Sequence, residues 1–266
     1  MDRLVVREKL NQSTDFFERI KIGVVPLSQG AGATFVATSM AKILSESENV
    51  KISYVEVSKG KEAGEKLIYD SLGMDKKFAG RQFIDFYQRV VSGESTRGMT
   101  NVDEGINWIL HTPGTCGTNK VVGEIKKESG PLENIKIINN APGDIIICDF
   151  DLTREMMELS TDMEVLMIVI DPMPSALIGG FEFLSNFKAL EEKGKKVCWI
   201  VNKYNDGVNR RELLQYIKIR ELHYLPFIAA EELYTAEYNC MLPISSRKIR
   251  SQLEAPLNKI IESIFV

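Results

Sequence analysis

The stretch GVVPLSQGAGATFVATSMAK, residues 23–42, sets Gly30, Gly32 and Thr34 where a phosphate-binding loop places two glycines and a magnesium-holding hydroxyl. Such a loop works through its backbone. Glycines let consecutive N–H groups converge on phosphate oxygens at a helix N-terminus, where the helix dipole adds favourable charge. Gly30, Ala31, Gly32, Ala33, Thr34 and Phe35 supply that backbone half. The side-chain half is incomplete, because the residue before the hydroxyl is Ala33 and not lysine. The lysine of such a loop bridges the β- and γ-phosphates and stabilises charge during transfer. Its loss costs about 1.5–3 kcal/mol in binding, and hydrolysis should suffer more than binding. A glycine turn that only lets a helix pack closely on a sheet is the alternative.

A second signal is APGDIIICDFD, an apolar strand ending in Asp149. A carboxylate there would face the loop from the sheet's carboxyl edge and support a magnesium ion together with Thr34. The competing use is a cap for the following helix. Strand two, YVEVSKG, brings Glu56 and Ser58 to the same edge. Glu56 could instead grip a ribose, as in a dinucleotide-binding protein, but Phe35 occupies the third glycine position that such a fingerprint needs. Asn202, in VNKYNDG, either faces a ligand or simply ends its strand in a turn. His111 and Cys116 lie five apart in HTPGTCG, but no second pair accompanies them, so a structural loop is preferred over a metal site.

Positioning these residues requires a parallel sheet. Continuous apolar runs at 20–25, 51–57, 144–149, 164–170, 196–201 and 224–228 have the pattern of strands buried on both faces. Thr34–Ser45 and Ser175–Glu192 read as amphipathic helices between them, giving right-handed crossovers. Region 60–143 is less regular. It holds charged helical pieces at 61–72 and 81–93, the segment GINWILHTPGTCGTNK, and an extra strand expected at 135–139. In SSRKIRSQLEAPLNKIIESIFV, the residues Ile249, Leu253, Leu257, Ile260 and Ile264 share one helix face, with a kink expected at Pro256. The opposite face mixes Glu254 and Glu262 with Arg250 and Lys259, so packing on the sheet is expected rather than membrane binding.

A formal charge of −4 with interspersed signs over 266 residues gives no electrostatic footprint for nucleic acid. The four cysteines include no C-x-x-C pair, and Cys148 and Cys198 sit in apolar runs, as expected of a reduced, cytoplasmic protein. The charged start lacks a signal-peptide pattern, and no apolar run nears the roughly 20 residues that cross a bilayer. One domain over 1–266 is expected, with 1–19 as an N-terminal extension, 60–143 as an elaboration and 247–265 as a C-terminal helix.

With both strand-end motifs in place, the chain resembles the ParA/MinD family of P-loop ATPases and, within it, the TadZ/CpaE-like proteins of pilus assembly systems. VVPLSQGAGATFVATSMAK stands for the family's K-G-G-x-G-K-T loop and DIIICD for its Walker B strand. MEVLMIVIDPMPSAL and VCWIVNKYN follow in the family's order. The likeness runs from about residue 20 to about 245 and leaves 60–143 largely unmatched, as a family-specific insertion. It implies an α/β fold with a doubly wound, mainly parallel sheet of the P-loop NTPase type. It further implies ATP or ADP with magnesium as ligands, a homodimer, and protein partners in a membrane-associated assembly. Gly30, Gly32 and Thr34 would cradle phosphate and metal, Asp149 would support the metal, and Asn202 would face adenine.

The chain departs from the family where charge matters. The signature lysine that reaches across the dimer is Ser28, the loop lysine is Ala33, and the strand-two aspartate is replaced at Glu56 or Ser58. TadZ-like relatives can also lack the loop lysine, and Lys59 or Lys61 could substitute for the missing charge. The reading is a degenerate ATP-binding protein, with weak or no hydrolysis, that acts as a dimeric localisation or recruitment factor for pilus or secretion assembly. The alternatives are a ligand-free interaction scaffold and, third, an NAD-binding enzyme.

Overall fold

Successive residues of a strand point to opposite faces, so a strand whose every residue is apolar must be covered on both sides. The computed structural model, which describes residues 19–57, 67–113 and 131–265, shows that arrangement. Strands β1 (Ile20–Pro26), β2 (Ile52–Val57), β3 (Val102–Asp103), β4 (Ile106–Ile109), β5 (Ile145–Phe150), β6 (Val165–Ile170), β7 (Lys196–Tyr204) and β8 (His223–Pro226) form one sheet. Its order is β3-β4-β2-β5-β1-β6-β7-β8. All pairings are parallel except that of β3 with β4. Along β5, Ile145 and Ile147 join one core layer, whereas Ile146, Cys148 and Phe150 join the other. Helices Ala33–Ser45 and Arg247–Phe265 cover the first face. Helices Pro131–Asn140, Arg154–Ser160, Phe181–Glu192 and Arg210–Ile217 cover the second.

The chain leaves β1 toward β2 on one side, and β5 and β6 flank β1 on its two sides. The carboxyl end of β1 is thus the topological switch point, where open α/β sheets bind ligands.

Three expectations are corrected. Residues 135–139 are not a strand but part of helix Pro131–Asn140; the buried positions Asn134, Ile137 and Ile138 follow helical spacing. The run INWI, not assigned a strand from the sequence, forms β4 and extends the sheet beside β2. The helix expected over Ser175–Glu192 is two helices, Pro174–Gly179 and Phe181–Glu192, meeting at Gly180. A Cβ on Gly180 would lie 2.5 Å from the Leu27 carbonyl oxygen, so this junction passes directly against the residue that opens the loop.

The terminal helix Arg247–Phe265 buries Ile249, Leu253, Leu257, Ile260 and Ile264. It is one helix that runs through Pro256. Gln252, whose carbonyl a proline at 256 cannot serve, is exposed to solvent. Among the described residues no helix is long and apolar enough to cross a membrane.

Candidate functional site

The loop begins where β1 ends. Leu27 N–H donates to the Val169 carbonyl at 2.8 Å, extending the pairing with β6 by one residue. The chain then turns, with Ala31 N–H donating to the Ser28 carbonyl at 3.1 Å. Gly30 and Gly32 take the left-handed backbone, with φ of 76° and 91°, which side chains resist by about 1–2 kcal/mol. A Cβ on Gly32 would also strike the Asn202 amide nitrogen, whereas nothing lies within 4 Å of one on Gly30. Helix Ala33–Ser45 starts directly after Gly32, which gives it no side-chain cap. A glycine turn feeding an uncapped helix N-terminus is the backbone arrangement that receives anions.

Behind the loop, the Thr34 hydroxyl donates to Asp149 Oδ2 at 2.7 Å. The Tyr54 hydroxyl donates to the same oxygen at 2.7 Å. Asp149 is fully buried. It does not cap the next helix, which is capped by Thr153 accepting from Met156 N–H. The register places Glu56 of β2 and Val24 of β1 on either side of Asp149. Burial first, then the charges of Asp149 and Glu56, push the Tyr54 phenol well above its ordinary value of 10.0. Tyr54 therefore stays a neutral donor to the carboxylate.

Glu56 belongs to a neighbouring cluster. Its Oε2 accepts His111 N–H at 3.1 Å, and its carbonyl accepts the Tyr87 hydroxyl. His111 is buried and stacks on Tyr87 with ring centroids 3.7 Å apart. Ser58, Lys59, Lys61 and Cys116 lie outside the described residues. Among the described residues no group of three or more histidine, cysteine and acidic side chains is arranged to hold a metal.

On the other flank, Asn202 is buried and its Nδ2 donates to the Ala31 carbonyl at 2.9 Å. It lies within β7 and not in the turn beyond it, because the strand runs to Tyr204. The next residue, Lys203, has φ of 56°. Its ammonium donates to the Gly30 carbonyl at 2.6 Å and to Asp171 Oδ2 at 2.7 Å. Asp171 Oδ1 in turn accepts Met173 N–H at 3.0 Å. Ser28 and Ala33, where lysines were expected, are both buried, and Phe35 packs partly buried against the core.

The structure thus brings Gly30, Ala31, Gly32, Ala33, Thr34, Phe35, Asp149 and Asn202 to one edge. Sequence reasoning missed Tyr54, Asp171 and Lys203. Tyr54 carried a signal, since it precedes Glu56 by two residues and must share its face of the sheet. Lys203 carried none, because a strand directs neighbours to opposite faces and Asn202 had already taken the loop side.

No family model and no curated protein matches the chain. Solved structures do. A ParA family ATPase from Chlorobium tepidum is similar over 93% of this chain and 100% of its own, with a TM-score of 0.66 at 16% identity. The septum site-determining protein MinD of Pyrococcus horikoshii, complexed with Mg-ADP, aligns over 91% and 96% with a TM-score of 0.64 at 15% identity. A chain of the MinC:MinD cell division complex of Aquifex aeolicus aligns over 92% and 95% with a TM-score of 0.64 at 12% identity. Similarity over more than nine-tenths of the chain, with the eight-stranded, mainly parallel sheet described above, gives this chain the doubly wound P-loop fold of the ParA/MinD ATPases.

Proposed function

We propose that the chain binds ATP or ADP with magnesium at residues 28–34, hydrolyses it slowly or not at all, and acts as a nucleotide-dependent homodimer that recruits protein partners. The observation that carries this reading is the Thr34–Asp149 pair beneath an uncapped helix N-terminus, beside two left-handed glycines. A hydroxyl and a carboxylate 2.7 Å apart are hard oxygen donors that fit magnesium. Held by Thr34 and Asp149, the ion would supply positive charge that neutralises phosphate. Without lysine at 28 and 33, the loop keeps the backbone contacts that hold phosphate but lacks the cations that speed its transfer. Asn202, against the loop, is the residue we assign to the adenine side.

Apolar side chains beside the loop support an association role. Met173, Ile178 and Phe181 are exposed, on the segment whose Gly180 touches Leu27, and exposed apolar patches mark interaction surfaces. The sequence resemblance to TadZ/CpaE-like proteins makes a pilus or secretion assembly the specific process proposed.

Calorimetric titration with ATP, ADP and NAD, with and without magnesium, beside a phosphate-release assay, tests the reading. Saturable adenine-nucleotide binding with negligible release, and an increase in mass with ATP, is expected. Silence at millimolar concentrations overturns it in favour of a ligand-free interaction scaffold. That second reading draws on the loop's internal bonds, since Ala31 N–H and the Thr34 hydroxyl are both already engaged within the protein.

A further inference from the structure

Asn202 and Lys203 are consecutive residues of β7, yet both hold the same loop. In a regular strand their side chains would leave opposite faces. The register with β8 explains the exception. Val201 pairs with Tyr224 and Tyr204 with Pro226, so three steps along β7 match two along β8. That is a bulge, a device that re-aims a side chain at a strand end. Lys203 sits inside it in the left-handed backbone, a conformation that a side-chain-bearing residue keeps only where its surroundings hold it.

Together the two side chains fix two successive peptide units. The Gly30–Ala31 unit is held at both ends, its carbonyl by Lys203 and its N–H by the Ser28 carbonyl. The Ala31–Gly32 unit is held by Asn202 at its carbonyl. Across a planar trans peptide the N–H opposes the carbonyl, so the Gly32 N–H is turned away from β7. Asp171 keeps the ammonium on the loop. The Lys203 side chain is only 38% exposed and the Asp171 side chain 11%.

We propose that Lys203 is a positioning residue that braces the loop from β7, holding with Asn202 the backbone conformation that receives phosphate in a loop without its own lysine. The inference rests on the nucleotide reading above.

The test is calorimetric titration of the full chain with ATP and with adenosine, in wild type, Lys203→Met and Lys203→Arg. Lys203→Met should weaken ATP about tenfold, the loss of one charge-assisted hydrogen bond. Adenosine affinity should be unchanged, because the brace acts on the phosphate loop. Lys203→Arg, which keeps charge and donors, should restore most of the ATP affinity. If Lys203→Met does not fold, Lys203→Gln replaces it with the same expectation. Equal ATP affinity in wild type and variant overturns the brace, as does an equal loss for ATP and adenosine, which would place the lysine against the nucleoside. A wild type that binds neither ligand overturns the nucleotide reading itself and the brace with it.

Discussion

On the β5 side of the loop, Asp149 is fully buried and takes the hydroxyls of Thr34 and Tyr54. On the β7 side, Lys203 is partly exposed and spans the Gly30 carbonyl and Asp171. The contrast separates two jobs. A buried carboxylate left without its donors, or donors left without it, costs the fold, whereas a partly solvated ion pair contributes little to stability. The β5 flank is therefore built into the core, and the β7 flank adjusts the loop at small cost to the fold.

The largest expected effect tests that contrast directly. Asp149→Ala strips the acceptor from the buried Tyr54 hydroxyl and the partly buried Thr34 hydroxyl and should destabilise by about 3 kcal/mol, read from urea unfolding. Lys203→Met should cost less than about 1 kcal/mol in the same experiment. Equal losses would erase the distinction between the flanks.

Gly32→Ala comes next. It meets both the left-handed backbone and the Asn202 amide, and should cost about 2–3 kcal/mol. Gly30→Ala meets only the backbone term and should cost about 1 kcal/mol. Denaturant midpoints of the two variants compare the rigid and open halves of the same turn.

Ala33→Lys returns the missing charge to the loop itself. ATP affinity should rise about tenfold by calorimetry, and the dependence on Lys203 should shrink accordingly. No change would count against the alignment of Ala33 with the loop lysine.

The smallest effect lies at the outer edge, where His223 opens β8. Burial lowers its folded pKa below the ordinary 6.5, partly offset by Glu221. The unfolded chain then binds the proton more readily. The histidine's contribution to stability is full above 6.5 and is lost as pH falls through the folded value. Thermal melts from neutral pH downward should show this slope, and His223→Gln should flatten it while leaving the loop's behaviour unchanged.

The strands of the sheet's centre were legible because burial on both faces leaves no polar position to break an apolar run, as in IIIC of β5 and VLMIVI of β6. Outer pieces were harder to read. ENIKII has isoleucines that suit either period, and only the burial of Asn134, Ile137 and Ile138, with the two isoleucines in the second core layer, selects a helix. INWI is too short to carry a period of its own, and its pairing with β2 makes it a strand. In the site, glycine spacing and a strand-end aspartate located Gly30, Gly32, Thr34 and Asp149, because backbone freedom and strand direction are properties of local sequence.

By itself the sequence determined a glycine turn between an apolar strand and a helix, the absence of lysine at 28 and 33, and the parallel α/β class. Tertiary structure alone decided which groups meet the loop. Tyr54 reaches Asp149 because β2 lies beside β5, 95 residues away in the chain. Lys203 reaches Gly30 because a bulge against β8 turns it across β7. Such contacts depend on strand order and register, which are fixed only when long-range pairing buries both faces of the sheet.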